Sequence, residues 1–119
     1  MECPYCNETA QHIDSSYIYG ISYGYIYYCN PCDARVGCHK TTGRPLGTMA
    51  NASLRALRIE THNAFDPIWK KGGFTRRAAY IWLSRQMKIG FHECHIGKFD
   101  ETRCRMAIEK CGHFVPKEK

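Results

Sequence analysis

The sequence predicts an α+β chain: an N-terminal zinc ribbon built on a β-hairpin, packed with about three C-terminal α-helices. Three observations predict it. Two C-x-x-C pairs lie in the first third of the chain. A tyrosine- and isoleucine-rich run separates them. The remainder carries helical periodicity with capping residues and glycine stops. The expected boundaries are 1–40 for the ribbon and 41–119 for a basic helical region, the two forming one compact unit.

The ribbon comes first. "CPYC" at Cys3 and Cys6 and "CNPC" at Cys29 and Cys32 enclose 22 residues. Zinc takes four soft ligands in a tetrahedron, and each C-x-x-C turn offers two thiolates from one knuckle. The spacer slightly exceeds the roughly 15–20 residues usual between such pairs, an excess that a hairpin absorbs. A thioredoxin-like redox pair would need a βαβ context that is missing here. Asn7 follows the first pair, where a positive φ is often required and Asn tolerates it. Between the knuckles, "SSYIYGISYGYIYYC" reads as strand, turn and strand, with Gly20 and Gly24 as breakers.

A Gly/Thr/Pro-punctuated loop follows at residues 38–51, carrying Lys40 and Arg44. It suits a linker as well as a phosphate-contacting loop, and it lacks Walker spacing. Asn51 is the expected N-cap of a first helix with an inward stripe of Leu54, Leu57, Thr61, Ala64 and Phe65. Asp66-Pro67 predicts a break or a new start. Thr75 caps a second helix, with Ala79, Trp82, Leu83, Gln86 and Met87 on its mainly apolar face. Asp100 caps a third, whose stripe of Cys104, Ala107, Ile108 and Cys111 reads the two cysteines as small core residues. The residues between the second and third helices are too many for a helix-turn-helix. The terminal "PKEK" is expected to fray.

Charge is unevenly placed. Residues 1–34 hold four acids and no Lys or Arg, a formal −4. Residues 35–119 hold all 17 bases against 7 acids, a formal +10, so the total is +6. Four thiolates around Zn²⁺ add −2, making the ribbon about −6. On that count phosphates avoid the ribbon, and Tyr17, Tyr19, Tyr23, Tyr25, Tyr27 and Tyr28 serve packing or a protein interface rather than base stacking. Eight cysteines without a basic, apolar leader at the N-terminus suggest metal ligation in a reducing compartment, hence the cytoplasm. No apolar run is long enough to span a membrane.

Two Cys-His pairs, Cys38-His39 and Cys94-His95, are candidates for a second metal site shared between two loops. Neighbouring residues in an extended segment point to opposite faces, so each dipeptide supplies one ligand more readily than two. The competing reading buries both cysteines and leaves each histidine a structural hydrogen bond. A Cys-His nucleophile would need a pocket and an oxyanion site that no motif announces. Deaminase chemistry lacks its H-x-E motif, and "HECHI" has Ile96 where a zincin helix needs a second histidine.

The stretches "CPYC", "SSYIYG", "PCDARVGCHK", "RPLGTMAN", "AFDPIWK" and "CHIGKFD", in this order, resemble small zinc-finger-containing proteins encoded by bacteriophages and prophages. The resemblance runs over residues 3 to about 111. It implies a phage origin and a zinc finger ligated by Cys3, Cys6, Cys29 and Cys32, and it supplies no activity. The expected function is therefore that of a phage accessory protein, binding one Zn²⁺ and, if the Cys-His pairs ligate, two. It would bind nucleic acid, DNA ahead of RNA, through Lys40, Arg44, Arg55, Arg58, Arg76, Arg77, Arg85 and Lys88. Two further classes stay open: an inhibitor or adaptor acting on a host protein complex, and a small metal-dependent nuclease. No catalytic residue is assigned, and the expected location is the host cytoplasm.

Overall fold

The structure is a computed structural model that describes residues 1–114; the "PKEK" tail lies outside the described residues. The chain forms two compact units, Met1–Arg55 and Ala56–Lys119.

In the first unit, strands β1 (Gln11–Asp14), β2 (Tyr25–Cys29) and β3 (Ala34–Gly37) make an antiparallel sheet in that order. Ile13 pairs with Ile26, and Tyr27 with Val36. The hairpin expected between the knuckles is therefore placed differently. "SYIY" is not a strand but a helical turn, α1 (Ser16–Tyr19), and "QHID" supplies the strand. The cause is local hydrogen bonding. Asp14 accepts from the Ser16 N–H at 2.8 Å and from the Ser22 hydroxyl at 3.0 Å, and Ser15 Oγ accepts from the Tyr23 N–H at 2.7 Å. Short polar side chains that bond nearby backbone favour turns over ladders, and Gly20, at φ 76°, closes this one. The core beneath the sheet is small: Cys3, Ala10, Cys29, Ala34 and Met49, flanked by Tyr27 and Val36.

The 38–51 loop is not a free linker. It closes on itself through the bridge Cys38–Pro45 and folds back on β3 through the bridge Arg35–Ala50 and the Leu46 N–H to the Gly37 carbonyl at 2.8 Å, which places it in the same unit as the ribbon. The charge account changes with it. Residues 1–55 carry four acids and four bases, a formal zero that becomes about −2 with ligated Zn²⁺.

The next helix, α2 (Ala52–Lys70), opens as expected, with Asn51 Oδ1 accepting from the Leu54 N–H at 3.0 Å. It does not stop at Asp66-Pro67. Pro67 sits inside the helix, and Phe65 and Ile68, both buried, anchor it on either side. Packing here outweighs the lost backbone bond. The helix ends before Gly72-Gly73; a Cβ on Gly72 would lie 2.2 Å from the Ile68 carbonyl oxygen.

In the second unit, α3 (Arg76–Met87) and α4 (Glu101–Gly112) pack on each other. Both start on the expected caps, Thr75 accepting from Ala78 N–H and Asp100 from Arg103 N–H. Two 3-10 turns, Phe91–Glu93 and Ile96–Lys98, link them. The core is Phe65, Leu83, Ile96, Phe99, Cys104 and Ala107, with Phe65 and Tyr80 ring centroids 4.5 Å apart. On α3 the inward face rotates relative to expectation. Tyr80 and Ser84 are buried, Trp82 is half-buried and Gln86 is exposed. Ser84 enters because its hydroxyl bonds the Ile81 carbonyl at 2.7 Å, which removes the cost of burying it.

Candidate metal centre

The two knuckles bring Cys3, Cys6, Cys29 and Cys32 together. Their four sulfur atoms lie within 4.8 Å of one another, with Cys6 and Cys29 3.6 Å apart. Ligands at about 2.3 Å in a tetrahedron sit roughly 3.8 Å from each other. The spread therefore fits four ligands around one cation.

Local backbone shapes each knuckle. The residues directly after them, Asn7 and Asp33, take left-handed conformations at φ 63° and 49°. The first knuckle is also closed by the Asn7 N–H bonding the Cys3 carbonyl at 2.8 Å. Asn7 is the position expected from sequence; Asp33 occupies the equivalent place after the second knuckle, and the repeated C-x-x-C-Asn/Asp pattern marks both.

Electrostatics favour a cation. Burial works against ionising Cys3, yet the Tyr5 and Cys6 backbone N–H groups and the neighbouring thiols outweigh it and hold its thiol down at about 7. Once one thiolate exists, the others resist. The Cys32 N–H favours ionisation of Cys29, but burial and the Cys6 and Cys3 thiols override it and the pKa rises. Burial first, then the three neighbouring sulfurs, push Cys32 up to about 12. Four thiolates can share this space only around a positive charge. A closed set of four sulfurs also leaves no open position for substrate, the mark of a structural rather than a catalytic zinc.

A model of a family described as a zinc-finger-containing domain matches residues 1–113. The chain belongs to that family. A zinc-finger-containing family and four sulfurs this close fit one Zn²⁺ site at Cys3, Cys6, Cys29 and Cys32. No curated protein and no solved structure matches the chain. The match covers the second unit of this zinc-finger-containing domain as well as the ribbon, so the helices belong to the family pattern.

The Cys-His pairs each divide. Cys94 is buried in the second unit, and burial pushes its thiol up to about 11 against the pull of Arg103. His95 is exposed, 6.0 Å from the Tyr80 ring. In the first unit Cys38 is half-buried, its pKa raised by burial, and His39 is exposed. Taken unit by unit, neither holds another converging group of three or more Cys, His, Asp or Glu among the described residues. Cys104 and Cys111 are core residues, as expected.

The eight cations singled out from sequence fall into two classes. Arg55 and Arg58 serve the fold. Arg55 donates to the Ala50 and Asp33 carbonyls and to the Asp33 carboxylate. Arg58 donates to the Phe99 carbonyl from Nε at 3.1 Å and Nη2 at 2.9 Å. Lys40, Arg44, Arg76, Arg77, Arg85 and Lys88 are exposed and make no ion pair among the described residues.

No helix among the described residues is long and apolar enough to cross a membrane.

Proposed function

We propose that this zinc-finger-containing domain binds nucleic acid, DNA ahead of RNA, through the basic helical unit. The observation that carries the reading is α3. The helix holds Arg76, Arg77 and Arg85 and no acid, Lys88 follows it, and none of the four has a carboxylate partner among the described residues. Arg76 and Arg77 instead lie over the Tyr80 and Phe91 rings at 5.4 and 4.9 Å, which leaves their charge uncompensated. Unpaired surface cations on one element attract a polyanion and release its counterions on contact. The phage setting, and action in the host cytoplasm, rest on the resemblance of the motifs. The second metal set, Cys38, His39, Cys94 and His95, stays within this proposal. A second zinc per chain that vanishes in Cys94→Ser would assign it, and a count of one in both proteins would remove it.

The test is a salt titration of binding to random duplex DNA. The affinity should fall with a log–log slope of roughly 0.9 per phosphate contact, and Arg76→Glu with Arg77→Glu should weaken binding and flatten the slope by about two contacts. Low-salt affinity no better than millimolar would overturn the reading and turn the basic face to an acidic protein partner, the adaptor role.

A further inference from the structure

Four of the ribbon's tyrosines face solvent instead of packing, while Tyr27 packs against the core. Tyr17, Tyr19, Tyr23 and Tyr25 are 80, 48, 71 and 56 % exposed, with Ile21 and Leu46 exposed beside them in sequence or space. That is a costly arrangement for a unit with so small a core, since buried rings would be its largest source of apolar area. Tyr19, Tyr23 and Tyr25, with Leu46, wall a cleft of about 410 Å³. Tyr23 and Tyr25 also wall a second cleft of about 530 Å³ that holds His39 and Lys40. We infer that this paired cleft, centred on Tyr23 and Tyr25, is a binding site for unpaired nucleobases of a single strand.

Three features select that ligand. The first is ring geometry. Tyr23, 71 % exposed, meets Tyr19 edge to face at 5.8 Å, and Tyr25, 56 % exposed, is tilted against the His12 ring at 5.1 Å; both keep exposed ring area for stacking, and stacking on tyrosine tolerates any base. The second is an unsatisfied donor. Arg35 lines the first cleft under the Tyr19 ring at 5.1 Å, and its Nε is buried without a hydrogen-bond acceptor. Its Nη1 has only Asp33, at 3.4 Å. A base carbonyl that displaces the half-exposed Tyr19 ring would supply the acceptor. The third is charge. Residues 34–55 carry Arg35, Lys40, Arg44 and Arg55 and no acid. Neither nearby carboxylate pairs with Lys40 or Arg44: Asp33 is matched by two arginines, and Asp14, charged and lining the second cleft, bonds Ser16 and Ser22. Lys40 and Arg44 thus stand free for phosphates, which a peptide would not provide. A duplex hides its base faces, so the ligand is a single strand.

The inference deepens the nucleic-acid reading and rests on it for the polyanion, but it uses different residues, so the two fail separately. The experiment measures binding of the zinc-loaded full chain to fluorescent oligothymidylate and oligouridylate of about ten nucleotides. Duplex DNA of equal length and a proline-rich peptide serve as comparisons. Tyr23→Ala and Tyr25→Ala should each weaken single-strand binding by about tenfold and leave duplex binding and zinc content unchanged. Tyr23→Phe, which keeps the ring, should bind as the parent does. Single-strand binding that is undetectable in the parent, or unchanged in both alanine variants, would overturn the inference. So would ring-dependent binding of the peptide alone. If Arg76→Glu with Arg77→Glu abolishes duplex binding while the tyrosine variants do nothing, the proposed function stands and this site does not.

Discussion

The guanidinium of Arg55 holds the carboxylate of Asp33, Nη2 to Oδ2, at 3.0 Å. Asp33 follows the last knuckle cysteine and Arg55 lies in the first turn of α2, so one side chain ties the end of the metal site to the loop that closes the unit. Arg55→Ala removes this bond and those to the Ala50 and Asp33 carbonyls. The loss should cost about 1–2 kcal/mol. Thermal unfolding of the zinc-loaded protein should show a lower midpoint, and chelator-driven zinc loss should be faster. Arg44→Ala, on the same loop but without an ion pair, should change neither.

Asn7 at φ 63° makes a backbone prediction. Asn7→Gly should be nearly neutral, since glycine enters the left-handed region freely. Asn7→Val should destabilise by about 1–2 kcal/mol, the cost of a Cβ-branched residue there, and weaken zinc binding with it. Equal stabilities of the two variants in denaturant titrations would contradict the role of that conformation.

Acid should open the first unit by removing zinc. Protons compete with the metal for thiolates, so affinity falls as pH falls. The carboxylates act later. The Ser16 N–H lowers the pKa of Asp14, and the Arg55 side chain lowers that of Asp33, both from the ordinary 3.8. Their stabilisation is present above 3.8 and is lost only as pH falls through the still lower folded values. Zinc release to a dye and loss of the strand signal in circular dichroism should therefore share one midpoint above pH 3.8. A structural transition seen only below that value, after the zinc has left, would count against this order.

Phe99 is fully buried and its carbonyl is the acceptor for Arg58. Phe99→Ala should cost about 3–5 kcal/mol, enough to unfold the helical unit of a small domain. Cys104→Ala with Cys111→Ala should leave the zinc count unchanged. Burial pushes the Cys111 thiol up to about 12, so in the native protein it should react with thiol reagents only on unfolding.

How much of this was legible in the sequence differs by element, for physical reasons. The four zinc ligands and the three helix caps, Asn51, Thr75 and Asp100, were readable because each depends on a residue type at a fixed short spacing. The strand at Gln11–Asp14 was not, because the tyrosine and isoleucine run beside it carries the stronger strand propensity. That run yields to the Asp14, Ser15 and Ser22 side-chain bonds, which appear only when the chain is folded. Pro67 reads as a break because local chemistry forbids its hydrogen bond, while the buried Phe65 and Ile68 that override it belong to tertiary packing. Arg55 and Arg58 looked like surface charge; only the fold shows that carbonyls claim them. The charge split between residues 34 and 35 likewise dissolved once the 38–51 loop closed on β3.

The first unit depends on one zinc held by Cys3, Cys6, Cys29 and Cys32. Native mass spectrometry of the parent and of Cys29→Ser tests this dependence most directly. The folded parent should hold at least one tightly bound zinc, and Cys94→Ser, which removes any second site, one. Cys29→Ser should lose this zinc and the fold of its first unit. A compact, metal-free parent, or a Cys29→Ser variant that keeps both its zinc and its structure, would contradict it.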